Sequence, residues 1–388
     1  MYIFSPFKSK KMLLTVTILA FCGISINAQD IASNEDFSVS KQIQDKFQII
    51  NQRFHGGTKV PKSIKGIVKS YPKKLKKSKK IARKHVQFTK KKVKLEVCGC
   101  HRQLYVNEDN HSNSNQTMCS LDASLRGNRQ KVIAYSLYGQ EDSIREEKYH
   151  KHYFEGVFSN YKSMRQHYPD WIFRLYFDFE VNDLRLQILC DFACKNPDLD
   201  LCHVKNIPAL GDIEPIFPMM WRFLPTIDPQ VDYFMSRDLD ALIVPREVVA
   251  VKEWIKSGKA LHVMRDHYHH GNCIVGCCWG LKLSDLEKSM MASAFALVAK
   301  DSILYVDQEA YGEDQQFLRW YVWPWTMSNS LSHDSYYCNV YPHTSPFPTE
   351  RKIESFNYVS AFPFSFEPYK AVCPEKCRPK NHPEWEYC

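Results

Sequence analysis

Val231-Asp232-Tyr233-Phe234-Met235-Ser236, followed at once by Arg237-Asp238-Leu239-Asp240, decides how this chain is read. The first six residues are apolar, aromatic and β-branched, and they have the length of a strand. In extended backbone the side chains alternate, so Asp238 and Asp240 point to one side. Two carboxylates facing one way suit a hard divalent cation, Mn2+ or Mg2+. A cation there can bridge to a diphosphate and neutralise charge on a leaving nucleotide. Acidic pairs are common on solvated turns and mean little alone. This pair closes an apolar strand, and Leu242-Ile243-Val244 follows it.

Outward from this motif the pattern repeats. Val132-Ile133-Ala134-Tyr135-Ser136-Leu137 reads as a buried strand ending at Tyr138-Gly139, and Trp171 to Phe177 as the next. Tyr149 to about His167, and Asn182 to Cys194, read as helices. Leu201-Cys202-His203-Val204 is a short strand, Pro218 to Leu224 a helix, and Ala260 to Met264 another strand. Strands alternating with 10- to 15-residue helices predict an α/β fold with a mainly parallel sheet and right-handed crossovers. Ligands of such sheets sit beyond the carboxyl ends of the strands. That rule puts Tyr138-Gly139 and Arg237 to Asp240 on one rim.

Met220-Trp221-Arg222-Phe223-Leu224-Pro225 and the strand through Asp240 together resemble the donor-binding region of GT-A fold glycosyltransferases. They are similar in particular to the retaining group in which an Arg-bearing helix precedes the DxD strand. His262 to His267, Trp279-Gly280, Tyr311 to Leu318 and His333 to Tyr336 extend the resemblance over roughly residues 130–345. It implies a Rossmann-like mixed, mainly parallel sheet flanked by helices, a nucleotide-sugar donor, and a hydroxyl acceptor on a glycan, glycoprotein or lipid. It also implies roles. Asp238, Asp240 and His333 would hold Mn2+ or Mg2+. Arg222 would contact the donor phosphates, where a guanidinium fork fits well. Ser136, Tyr138 and Gly139 would line the nucleotide pocket. Asp266 would reach the donor sugar, or else pair with Arg265 or a histidine. Asp314 and Gln315 would face the anomeric carbon of a retaining hexosyltransferase; were the reaction inverting, Asp314 or Glu313 could serve as general base. Arg237 would contact phosphate or pair with Asp232. The chain departs from the family pattern at Gly276-Cys277-Cys278, where the adjacent cysteines either form part of a disulfide or pack as small apolar groups.

The rest of the chain supplies an address. Lys8, Lys10 and Lys11 precede an apolar run from Met12 to about Ile26, so residues 1–28 read as a signal peptide or a signal anchor. Membrane association through that segment, a Golgi-lumen location or secretion all follow. The sequons Asn110-His111-Ser112 and Asn115-Gln116-Thr117 agree. Fourteen cysteines beside a targeting segment predict disulfides, with at least one of the 13 beyond Cys22 left over. Residues 29–128 read as a polar, basic stem, 129–345 as the catalytic domain, and 346–388 as a disulfide-stapled tail. The formal charge of +9 is local: residues 58–95 hold 16 Lys or Arg and no acid, and without those 16 the charge is −7. No nucleic-acid-reading motif accompanies the run, so nucleic acid is not an expected partner. Two other classes are consistent with the sequence: a catalytically silent lumenal carbohydrate-binding protein of the same fold, and a basic-stem protein that binds acidic glycans or membrane.

Overall fold

The computed structural model describes residues 47, 49, 88–107, 116–139, 146–300, 312–341, 343–351, 358–361 and 371–388. The N-terminal segment 1–28 and both sequon asparagines lie outside the described residues.

The centre is a mixed, largely parallel sheet of eight strands flanked by helices. Its strands are β3 (Gln130–Leu137), β4 (Ile172–Phe177), β5 (Leu199–His203), β6 (Val231–Ser236), β7 (Leu261–Arg265), β8 (Trp279–Lys282), β9 (Ser330–Asp334) and β10 (Thr344–Ser345). They run in the order β10-β9-β7-β8-β6-β3-β4-β5. Strand β8 pairs antiparallel with both neighbours, while the other pairs are parallel. Both faces are covered, which is why β3 and β4 read as near-continuous apolar runs rather than as alternation. Their residues still sort by parity. Val132 and Ala134 join the core on one face, with Phe223, Trp279, Phe295 and Phe317. Ile133, Tyr135 and Leu137 join the other, with Val157, Leu189 and Trp254.

A two-stranded ribbon, β1 (Phe88–Leu95) and β2 (Cys100–Asn107), lies outside the sheet. The helices are α1 (Leu121–Ser124), α2 (Glu146–His167), α3 (Leu184–Lys195), α4 (Pro218–Trp221), α5 (Pro245–Ser257), α6 (Asp285–Lys300) and α7 (Glu313–Phe317), with a short α8 (Trp323–Thr326). Helix boundaries follow local chemistry. Asp183 caps α3 by accepting from the Arg185 N–H at 2.8 Å. Pro245 opens α5, and Gly258 closes it at φ 70°, where a side chain would strain.

The folded body starts before residue 129, which corrects the stem boundary. Residues 88–107 and 116–128 are welded to the sheet. Disulfides Cys98–Cys190, Cys100–Cys194 and Cys119–Cys202 tie them to α3 and β5. A buried ion network does the same. Arg102 pairs with Asp122 at 2.8 Å, Arg126 with Asp200 at 2.7 Å and Arg174 with Asp228 at 3.0 Å. The tail is stapled through Cys338–Cys377 and Cys373–Cys388. Cys277 and Cys278 are bonded to each other, and the buried Cys273 is in none of the disulfides among the described residues. No described helix is long and apolar enough to cross a membrane.

Candidate functional site

Strands β3, β6, β7 and β9 run parallel, so their carboxyl ends share one edge of the sheet. Asp238 and Asp240 stand on the turn that leaves β6. One face of α2 holds that turn through residues spaced by helical periodicity. The Tyr153 side chain stands beside Asp240. Gly156 packs against the Leu239 carbonyl so closely that a Cβ would sit 2.0 Å from its oxygen. Asn160 Nδ2 donates to the same carbonyl at 2.9 Å, and Ser163 Oγ donates to Ile243 O at 3.1 Å.

Arg222 follows α4 and joins three elements. Its backbone N–H donates to Ser136 Oγ at 3.2 Å. Its guanidinium pairs with Asp238 through Nη1 and with Asp314 through Nη2, the latter at 3.1 Å. Burial works against the Arg222 charge, but the two carboxylates outweigh it and hold the guanidinium firmly protonated. Asp314 opens α7 and is buried, which pushes its carboxyl up against the opposing pull of Arg222. Beside it the Gln315 amide, oriented to suit its neighbours, donates to Ile274 O at 3.1 Å and accepts from Gly276 N at 2.8 Å. Gly276 leaves the room for this: a Cβ there would lie 2.6 Å from Asp314 Oδ2 and 2.5 Å from the Gln315 side-chain amide. Ser236 Oγ donates to Gly276 O at 2.7 Å and anchors the loop to β6.

The structure thus brings Ser136, Arg222, Asp238, Asp314 and Gln315 into one connected group. Tyr138 stands edge-on to Trp221 at 6.0 Å, and Gly139, at φ 104°, offers its carbonyl to Arg185 at 2.9 Å.

Three other expected residues turn inward. Arg237 pairs with Glu247 at 2.7 Å and donates to the carbonyls of Ser236 and Trp279, so neither phosphate nor Asp232 is its partner. Alternation forces this, since its neighbours Ser236 and Asp238 take the opposite side. Asp266 is fully buried and saturated. It accepts from Arg246 at 2.8 and 3.0 Å, Ser335 Oγ at 2.6 Å and Val359 N at 2.9 Å, which leaves it no oxygen for a sugar. His333 is buried within the sheet. Nδ1 lies 2.9 Å from His262 Nε2, and Nε2 lies 3.0 Å from Glu253. Both ring nitrogens are occupied, so it does not complete a metal set with Asp238 and Asp240.

The two aspartates do fit a cation. Burial and the charge of Asp238 together push the Asp240 carboxyl up to about 6. A carboxylate that resists ionising beside another is stabilised by a shared positive ion. Asp334, Cys338 and Cys377 also cluster, but the two sulfurs are bonded to each other and supply no thiolate. Tyr153, Gly156 and Asn160 escaped the sequence reading. Their signal was one helical face of small and polar residues on an otherwise aromatic helix.

No family model matches this sequence, and no curated protein matches it.

Proposed function

We propose that the chain is a GT-A fold glycosyltransferase of the secretory pathway. It moves a sugar from a nucleotide-sugar donor to a hydroxyl on a glycan, glycoprotein or lipid, with Mn2+ or Mg2+. The observation that carries this reading is the span of Arg222, which links the acidic turn after β6 to Asp314 and, through its N–H, to Ser136 at the end of β3. Such an arrangement lies where open α/β sheets bind ligands. Asp238 and Asp240 would hold the cation. When bound, the cation would neutralise charge on the departing diphosphate.

The chain's own groups divide the remaining work. Arg222 keeps a fixed positive charge at the donor end, in a buried setting where it is worth more than in water. It also holds Asp314 in place next to Gln315, the pair proposed to meet the anomeric carbon with retention. Helix α2 fixes the position of the acidic turn through Gly156 and Asn160. The disulfides among the described residues support an oxidising compartment.

The test is a nucleotide-sugar hydrolysis panel with Mn2+, run on the wild type and on Asp240→Asn. Turnover of at least one donor by the wild type, with loss in the variant, supports the proposal. No binding or turnover of any donor by either protein sinks the enzyme reading. Equal activity of the two sinks the cation assignment.

A further inference from the structure

We infer that the disulfide between the adjacent residues Cys277 and Cys278 is the brace that positions Gln315. The inference rests on the glycosyltransferase reading, which gives Gln315 its place at the anomeric carbon.

The bond is unlike the others. Its partners are neighbours in the chain, whereas the remaining disulfides among the described residues join positions 15 to 94 apart. In the chain-entropy account, a cross-link stabilises a fold by closing a loop of the unfolded chain, and the effect grows with loop length. A bond between neighbours closes no loop of that kind. What it constrains is local. Both sulfurs and the peptide bond between the two residues lie in one small ring, so the backbone of Cys277 and Cys278 loses most of its freedom.

That rigid pair sits where it can act on the site. Gly276 comes directly before it. The Gly276 N–H donates to the Gln315 side-chain oxygen at 2.8 Å, and the Gly276 carbonyl accepts from Ser236 Oγ at 2.7 Å. A Cβ at Gly276 would lie 2.6 Å from Asp314 Oδ2 and 3.1 Å from Arg222 Nη2, so this backbone is set tightly against the site's side chains. The pair is itself anchored. Cys278 N closes a turn onto Val275 O at 3.0 Å, and Cys278 O accepts from Met264 N on β7 at 3.0 Å. Both cysteines are buried, and they belong to the same core cluster as Met235, Leu239 and Met264. The bond thus joins a fixed turn to a packed core, and Gly276 carries its position to Gln315. Breaking it lets two buried sulfurs move apart, and a close-packed interior transmits such a change to its neighbours. Residues that hold a reacting group from behind in this way set its geometry.

The test begins with peptide mapping of the unreduced full chain. Cys277 and Cys278 should be found bonded to each other; either one as a thiol, or joined elsewhere, overturns the inference. Donor hydrolysis with Mn2+ is then measured for the wild type, Cys277→Ala, Cys278→Ala and the double change, and for the same set in a Gln315→Ala background. The kcat should fall roughly 10- to 100-fold, the size of loss that a displacement of up to about 1 Å gives. The fall should be equal in both single changes and in the double, because either one breaks the bond. Donor KM should stay near the wild-type value, because the brace acts on Gln315 and not on the acidic turn. In the Gln315→Ala background the fall should vanish, since the group being positioned is gone. A loss confined to one single change would assign the effect to the packing of that side chain and overturn the inference. So would an undiminished fall without Gln315. If the cysteine variants match the wild type while Asp240→Asn is inactive, the inference alone fails. If the wild type turns over no donor, the glycosyltransferase reading fails and the inference falls with it. Three variants break the same bond, so the test stands should one of them fold poorly.

Discussion

Replacing Gly156 with alanine should displace the acidic turn without touching any group that meets substrate. The added Cβ would stand 2.0 Å from the Leu239 carbonyl oxygen, 1.4 Å short of the 3.4 Å where ordinary contact begins. The obstacle is backbone on both sides. Gly156 sits within α2, and Leu239 lies between Asp238 and Asp240, so neither can swing away as a side-chain tip does. Asn160 holds the same carbonyl at 2.9 Å from the next turn of the helix, which prevents a simple rotation. The turn must therefore move by roughly 1 Å, a displacement that can lower an enzyme's rate about 100-fold. Overpacking should cost about 1–3 kcal/mol of stability. Urea unfolding measures the second figure, and donor hydrolysis with Mn2+ the first. Asn160→Ala serves as the milder comparison, since it loses one hydrogen bond worth about 1 kcal/mol and creates no clash. Wild-type stability together with wild-type turnover in Gly156→Ala would refute the proposed clamp.

Three further outcomes follow. Arg222→Ala should lower donor turnover about 100- to 1,000-fold, and Arg222→Lys should not restore it, because a point charge cannot span Asp238 and Asp314 as a fork does; rescue by lysine in a steady-state assay would contradict the bridging role. Arg174→Met should cost about 3–5 kcal/mol in urea unfolding, because it leaves Asp200 and Asp228 buried without their shared partner; a neutral result would show that the network relaxes. Burial holds His262 well below its ordinary 6.5 and pushes His333 down as well. Below pH 6.5 the unfolded chain therefore binds protons that the folded chain refuses, and stability falls with pH until the folded values are reached. In His262→Gln the slope of unfolding free energy between pH 6 and 5 should flatten by up to about 1.4 kcal/mol per pH unit, and an unchanged slope would show that His262 does not drive it.

The strand that opens the site was legible because buried parallel strands are written as apolar runs, and β6 has the predicted bounds of Val231–Ser236. Arg222 was legible as a residue worth noting, but its two-armed pairing was not. Asp314 lies 92 residues away, and nothing local relates the two. The failure at Asp266 has the same cause, since its partner Arg246 reaches it from the start of another element. Arg237 is different. The alternation of β6, carried past its end, puts Ser236 and Asp238 on one side and Arg237 on the other, so its inward pairing with Glu247 followed from the strand itself.

The stem boundary went astray for a reason of scale. Counting charge over residues 58–95 hides what individual positions do at its end. Lys92-Val93-Lys94-Leu95 alternates with period two, and Leu104 and Val106 do so across the ribbon. Those four apolar residues turn inward, with Val93, Leu104 and Val106 forming one small core, while Lys92 and Lys94 remain in solvent. A run of lysines is compatible with a strand when every second residue is buried, because each charge needs only one wet face. Disulfides from Cys98 and Cys100 then fix the turn of the ribbon to α3. The basic segment read as a stem therefore ends inside the folded body, on a ribbon that two disulfides join to α3.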